Sequence, residues 1–300
     1  MVLVVAAVAV AVATAAAVAS PRVRGSLGIA GTGAQWVPPA AGTPTTPGPD
    51  TRPASTRLIP QPVAVSGTSF FGWALLDRRT GRVSGSANRE SAVSSTESTI
   101  KAWIAADYLR RRAAAGRAPT DAALRDLTSM IVDNDDLVAQ RYYLAGGGDA
   151  VVSRLVSTCR LKHTTVYKGW WSKTRMTPAD AARYGECLAS GRAAGPKWTT
   201  WLLRTMTQVR GGVDDQRATS GGGRWGIVSA LSPGAAATTS IKNGWAAYQG
   251  VWRVDCLAVQ QDWVLAVMVR YPSGDGLGFG ADVCESVTEQ LMRPAPAPSG

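Results

Sequence analysis

Three hundred residues, 45% of them hydrophobic, suffice for one domain of roughly 200–250 residues with its own core and a tail. One His and four Cys, the latter at 159, 187, 256 and 284 with no Cys-x-x-Cys, are too scattered to converge on a metal; no metal or cofactor is expected. The net charge of +11 is dispersed, with no basic block of five and no glycine-rich phosphate loop, which excludes nucleic acid.

A basic protein outside the membrane is drawn to anionic polymers such as cell-wall phosphates or acidic lipid headgroups; plain solubility is the alternative. His163 is the only imidazole available, so any nucleophile here has to look to a Lys or a carboxylate for its base.

Met1–Ala19 is almost wholly Ala and Val and ends in Ala17-Val18-Ala19 before Ser20. Residues 1–25 therefore read as a signal peptide or membrane anchor, the only part expected to meet a membrane. Arg22 and Arg24 follow the apolar run instead of preceding it, which places the true start upstream, and no Cys near residue 20 offers a lipid anchor. Residues 26–61, rich in Pro, Thr and Gly, form a flexible linker, and residues 293–300 a second Pro/Ala tail. The expected location is secreted or in the cell envelope, and the expected state monomeric. Four Cys in an oxidising compartment favour two disulfides. Of three pairings, Cys159–Cys187 with Cys256–Cys284 keeps each bridge within one segment of the chain; four free thiols are the alternative.

The folded domain covers residues 62–292. A strand over Val63–Leu76, a turn at Asp77–Gly81 and a return through Arg82–Ser86 make an N-terminal hairpin. Ile100, Trp103, Ile104, Tyr108 and Leu109 then recur at helical spacing, with Ser95 or Thr96 and Glu97 capping the start. Helical patterns follow at 119–132, 134–144, 148–158, 177–190 and 198–209. Strands are expected at Thr239–Trp245, Gly250–Val259 and Trp263–Tyr271, and a last helix at 279–291. Two strands, a helical middle, three strands and a helix imply an α+β fold (an α/β/α sandwich). Its antiparallel five-stranded sheet is covered by helices beside an all-helical lobe, and the cleft between sheet edge and lobe is the natural ligand site.

Ser98-Thr99-Ile100-Lys101 lies at the start of the first long helix, and the i, i+3 spacing sets Ser98 and Lys101 one turn apart on one face. A Lys there, partly desolvated, can lose its proton and serve as base for Ser98, while backbone N–H groups of the helix start face developing negative charge. Ser-x-x-Lys alone is a common chance pattern. Three further stretches accompany it in order: Asn134-Asp135-Asp136, Met176-Thr177-Pro178, and Ile241-Lys242-Asn243-Gly244-Trp245. Together they resemble the class A β-lactamase/penicillin-binding-protein family, with its Ser-x-x-Lys, Ser-Asp-Asn and Lys-Thr-Gly motifs, over about residues 62–292. More closely, the chain is similar to exported actinobacterial serine hydrolases.

The resemblance implies Ser98 as nucleophile, Lys101 as its base and Lys242 as the group that binds a substrate carboxylate. It places Asn134 where the family has a proton-shuttling hydroxyl, Asp136, Asn243 and Gly244 against substrate, and the N–H groups of Ser98 and Trp245 in an oxyanion hole. The departures are specific. Asn134 and Asn243 replace hydroxyls by amides, which cannot relay a proton. The loop from Cys159 to Thr177 contains no Asp or Glu, where class A β-lactamases carry the Glu that activates the deacylating water.

The expected activity is acyl transfer on an amide or ester, cell-wall peptide or a β-lactam-like small molecule, with poor deacylation. A degenerate protein that binds such ligands without turnover is the alternative, and a structural envelope protein a third. Residue by residue, other readings stay open. Asn243-Gly244 is also a hairpin signal, Asp133, Asp135 and Asp136 could cap a helix, Trp170-Trp171 could be core, and His163 structural.

Overall fold

The computed structural model describes residues 56–217 and 220–293; the expected signal segment, most of the linker and residues 294–300 lie outside them. β1 (Phe70–Asp77) turns and returns as β2 (Val83–Gly85), as the sequence suggests. The first strand starts at Phe70 and not at Val63. Residues 59–64 run instead beside the last helix, where Ile59 N–H donates to Leu291 O and Ala64 N–H to Gln290 Oε1.

A short ladder joins β3 (Ser94–Ser95) to β4 (Arg175–Met176). The rest of the main sheet comes from the far end of the chain: β5 (Ser240–Ile241), β6 (Gly244–Tyr248), β7 (Val251–Val259) and β8 (Trp263–Pro272). The order is β2-β1-β8-β7, with β5 and β6 both on the outer side of β7, all antiparallel. β5 and β6 are one edge strand. Ser240 faces Val259, Gly244 faces Asp255 and Tyr248 faces Val251, a constant register that Lys242 N–H maintains by donating to Leu257 O. Asn243-Gly244 is thus not a hairpin. The turn falls at Gln249-Gly250, both at positive φ (55° and 72°), as a two-residue antiparallel loop of the I′ kind requires.

Helices cover both faces, as side-chain alternation along β7 and β8 requires. α1 (Lys101–Ala114) leads into a lobe of α2 (Asp121–Val132), α3 (Asp136–Ala145) and α4 (Asp149–Cys159). α5 (Pro178–Ala189) and α6 (Pro196–Thr207) follow, then α7 (Pro233–Thr238), which the sequence reading lacked, and α8 (Gly276–Met292). Leu257, Val259 and Val264 face Gly185 of α5, whereas Val254 and Tyr271 face Gly280 of α8. α1 is buried from Lys101 to Asp107 and packs against α2–α6, while its three arginines, Arg110–Arg112, gather towards its less buried end. Both expected disulfides are present: Cys159–Cys187 ties α4 to α5, and Cys256–Cys284 ties β7 to α8. No helix among the described residues is long and apolar enough to cross a membrane.

One contact fixes the edge strand against the start of the helical layer. A Cβ on Gly244 would lie 2.5 Å from Ser98 N, 2.8 Å from Thr99 N and 2.9 Å from Thr96 O, all backbone atoms that cannot swing aside. Gly244→Ala should therefore cost about 1–3 kcal/mol in urea unfolding. Gly234→Ala in α7, where an added Cβ meets nothing within 4 Å, should be neutral or stabilising. Equal effects of the two variants would refute this account of the contact.

Candidate active site

Ser98 sits in a 3-10 turn, Glu97–Ile100, that runs directly into α1, and it is 6% exposed. The expected cap is not formed. Thr96 makes no capping bond, its hydroxyl reaching Ser172 O at 3.4 Å, and the Ser95 hydroxyl donates to Glu97 Oε1 at 2.6 Å. Glu97 explains why: its φ of +43° takes the chain through the left-handed region just before Ser98, at a cost of about 1–2 kcal/mol. Thr96 N–H to Thr174 O and the close approach of Gly244 hold it there.

Lys101 and Lys242 are both fully buried and meet at one amide. Asn134, at φ +57° between α2 and α3, presents Oδ1 to both: Lys101 Nζ lies at 2.9 Å and Lys242 Nζ at 2.6 Å. Lys101 Nζ also donates to Asn134 O at 2.6 Å and to Asp136 Oδ1 at 2.5 Å, so all three ammonium protons have acceptors. Lys242 Nζ has two acceptors, Asn134 Oδ1 and Asn243 O. That number suits a neutral amine with its lone pair free. Among the described residues no hydrogen bond joins the Ser98 hydroxyl to either lysine.

Burial lowers Lys101 to about 8 against the pull of the Asp136 carboxylate, which favours the charged form. Lys242 is pushed well below the usual lysine range, by burial first and then by the charge of Lys101. The acids around the second motif divide their work. Asp133 pairs with Arg210, Asp135 caps α3 through Val138 N–H, and Asp136 pairs with Lys101.

The edge strand supplies the other wall. Because Lys242 N–H bonds inward to Leu257, alternation along an antiparallel strand turns the N–H of Trp245 outward, beside the Ser98 turn. Asn243 was expected against substrate. Its side chain is buried, and both amide protons go to Gly223 O and Trp225 O at 2.9 Å, so its donors are committed to the fold. That loop also reaches the second motif, Gly221 N–H donating to Asp133 O. The sequence held no signal for it beyond its glycines.

Opposite, the segment 160–176 is hung on the buried Asp180, which accepts from the N–H groups of Lys162 and His163 and from the Thr164 hydroxyl. His163 is exposed and takes part through its backbone. Trp171 is buried with its ring 5.5 Å from Lys101 Nζ and its N–H on Gln140 Oε1, while Trp170 is exposed. An indole thus covers Lys101 on the side of this carboxylate-free loop. Sequence reasoning gave Glu97 only a capping role and missed Asp255. Glu97 is raised by burial to about 7, and Asp255, opposite Gly244, is raised well above the usual range by burial and by Glu97.

No protein-family model matches the chain. A segment of 146 residues, 48% of this chain and 45% of the relative, is 28% identical to "Putative lipoprotein LppW" of Mycobacterium tuberculosis and of Mycobacterium bovis. The chain thus spans less than half the length of these curated relatives. Among solved structures, a β-lactamase from Xanthomonas campestris superposes with a TM-score of 0.56 at 17% identity, over 76% of this chain and 94% of that one. PBP-A superposes with a TM-score of 0.57 at 15% identity, over 76% and 92%. A variant of PBP-A, solved as an acyl-enzyme complex with penicillin G, gives 0.55 at 17%, over 74% and 89%. The chain has the β-lactamase/penicillin-binding-protein fold.

Glu97 links this site to stability. Its carboxyl is neutral in the fold up to about pH 7, whereas an unfolded chain releases the proton near 4.5. The stabilisation is complete below about pH 4.5 and is lost as pH rises through 7, about 3 kcal/mol in all. Glu97→Gln keeps an acceptor for Ser95 and removes the titration. Its stability relative to wild type should rise between pH 5 and pH 8; a gap that stays constant with pH would contradict the assignment.

Proposed function

We propose that the protein is an exported serine hydrolase that forms an acyl-enzyme on Ser98 from an amide or ester, cell-wall peptide or a β-lactam, and releases it slowly. The observation that carries this reading is the convergence of Ser98, two buried lysines and the outward N–H of Trp245 across the interface fixed by Gly244. Two disulfides and a relative named as a lipoprotein support an extracytoplasmic setting.

In this scheme Lys101 first loses the proton it shares with Asp136 to solvent water, an equilibrium set by its lowered pKa. Its free amine takes the proton of Ser98 as Oγ attacks the carbonyl carbon, and the N–H groups of Ser98 and Trp245 hold the oxyanion. When the tetrahedral intermediate collapses, the C–N or C–O bond breaks and an ammonium proton passes to the leaving group. Asn134 orients both amines without relaying that proton. Release of the ester needs an activated water, and segment 160–176 brings no carboxylate to activate one.

A second reading, ligand binding without turnover, is favoured by one observation: Lys101 has all three protons engaged and no bond to Ser98. Intact-mass spectrometry of the full chain with penicillin G separates the two. A one-to-one adduct that persists for hours and is absent in Ser98→Ala is the expected result. No adduct with penicillin G or with a fluorophosphonate, alongside a penicillin-induced rise in Tm, would establish the second reading.

The rate of adduct formation should rise with pH through about 8, as Lys101 loses its proton. Asp136→Asn removes the charge that retains it and should shift this limb down by about one unit, giving about fivefold faster acylation at pH 7. A profile unmoved by Asp136→Asn would rule out Lys101 as the base.

A further inference from the structure

A second concave site lies past the far end of β6, between segment 160–176 and the β6–β7 hairpin. It is a cavity of about 200 Å³ lined by Lys173, Arg175, Arg253 and Arg270, with Tyr167 and Tyr248 as walls. Tyr248 is three residues beyond Trp245, about 10 Å along the strand. The cavity therefore lies apart from the cluster of Ser98, Lys101 and Lys242.

Arg253 and Arg270 face each other across β7 and β8; Arg253 donates to the carbonyls of Tyr248 and Val251, and Arg270 to that of Val93. None of the four cations forms an ion pair among the described residues, unlike Arg110, Arg111 and Arg154, which share Asp107. Lys173 is held by rings, 4.6 Å from Trp170, 5.0 Å from Tyr248 and 5.6 Å from Tyr167, and Arg253 stacks on Tyr248 at 3.7 Å. Ser94 and Arg270 also line the cavity, and the Ser94 hydroxyl and Arg270 Nε are buried without a hydrogen-bond partner. Burial and the charges of Arg253 and Arg175 depress Arg270, so the group repels itself as it stands. The nearby acids Glu97 and Asp255 favour their neutral forms and give little compensation.

We infer that this cavity binds a phosphate group: its size and its four cations, none of them in an ion pair, match a compact dianion with several acceptor oxygens. The site goes beyond acyl transfer and stands without it, because no residue of the Ser98 cluster lines the cavity.

Calorimetric titration of the full chain with inorganic phosphate at low ionic strength tests this, with glutarate as the carboxylate comparison. Saturable phosphate binding is expected. It should weaken about tenfold in Lys173→Gln and in Arg253→Gln. Ser98→Ala and Arg82→Gln should bind as wild type does, the first showing independence from the nucleophile. Lys173 is on a loop, so its variant informs even if Arg253→Gln fails to fold. Absence of saturable binding, equal binding by the Lys173 variant, or tighter binding of glutarate than of phosphate would each overturn the inference.

Discussion

Lys101 and Lys242 end on the same oxygen, Asn134 Oδ1, inside a wall that excludes water from both. Their nitrogens are at most about 5.5 Å apart, and two full charges at that separation repel by about 3 kcal/mol at an effective dielectric of 20. One half-exposed carboxylate, Asp136, stands against the pair. The balance resolves unevenly: the amine that touches the acid keeps its charge more readily, and the other is driven towards neutrality. The arrangement therefore contains both an ammonium and a near-neutral amine on one amide oxygen. That is the minimum for moving a proton on and then off a reacting group.

Two residues at positive φ position this site. Asn134 is at positive φ so that its carbonyl and its side-chain oxygen face the same lysine, and Glu97 is at positive φ so that Ser98 follows at the surface of a buried turn. Both strained residues lie where segments remote in sequence meet: α2 with the loop 210–225, and the start of α1 with β6. Strain of this kind persists only where surrounding contacts over-determine it. Here Gly244 is the contact that leaves no room to relax.

The sequence made some of this legible and hid the rest for physical reasons. Ser98 and Lys101 are one helical turn apart, and the two disulfides each close a short span, so local spacing sufficed for both. Asn243-Gly244 was ambiguous because the dipeptide that favours a tight turn is also small enough for a strand pressed against another backbone; only the partner at Ser98 decides it. The role of Asn243 was misread because its donors go to Gly223 and Trp225, some twenty residues away in an irregular loop. Glu97 and Asp255 carry no periodic signal, and their raised carboxyls arise from burial between elements more than 150 residues apart. Asp136 was visible as a departure from the Ser-Asp-Asn pattern, but its ion pair with Lys101 was not, since it depends on the turn at Asn134.

The departures from the family pattern gain a common sense once placed in space. Replacing a hydroxyl by the amide of Asn134 removes a proton carrier but adds an acceptor that two amines can share. Replacing an amide by the carboxylate of Asp136 supplies the charge that a second buried ammonium would otherwise lack. The two changes compensate electrostatically: Asp136 favours the charged form of Lys101 against the burial that opposes it. Trp171 lies over Lys101 where the loop offers no acid, so on the proposed acyl-transfer reading no carboxylate there would activate a water for ester release. On that reading the site would hold an acyl group on Ser98 and turn over slowly at the two steps that depend on a mobile proton.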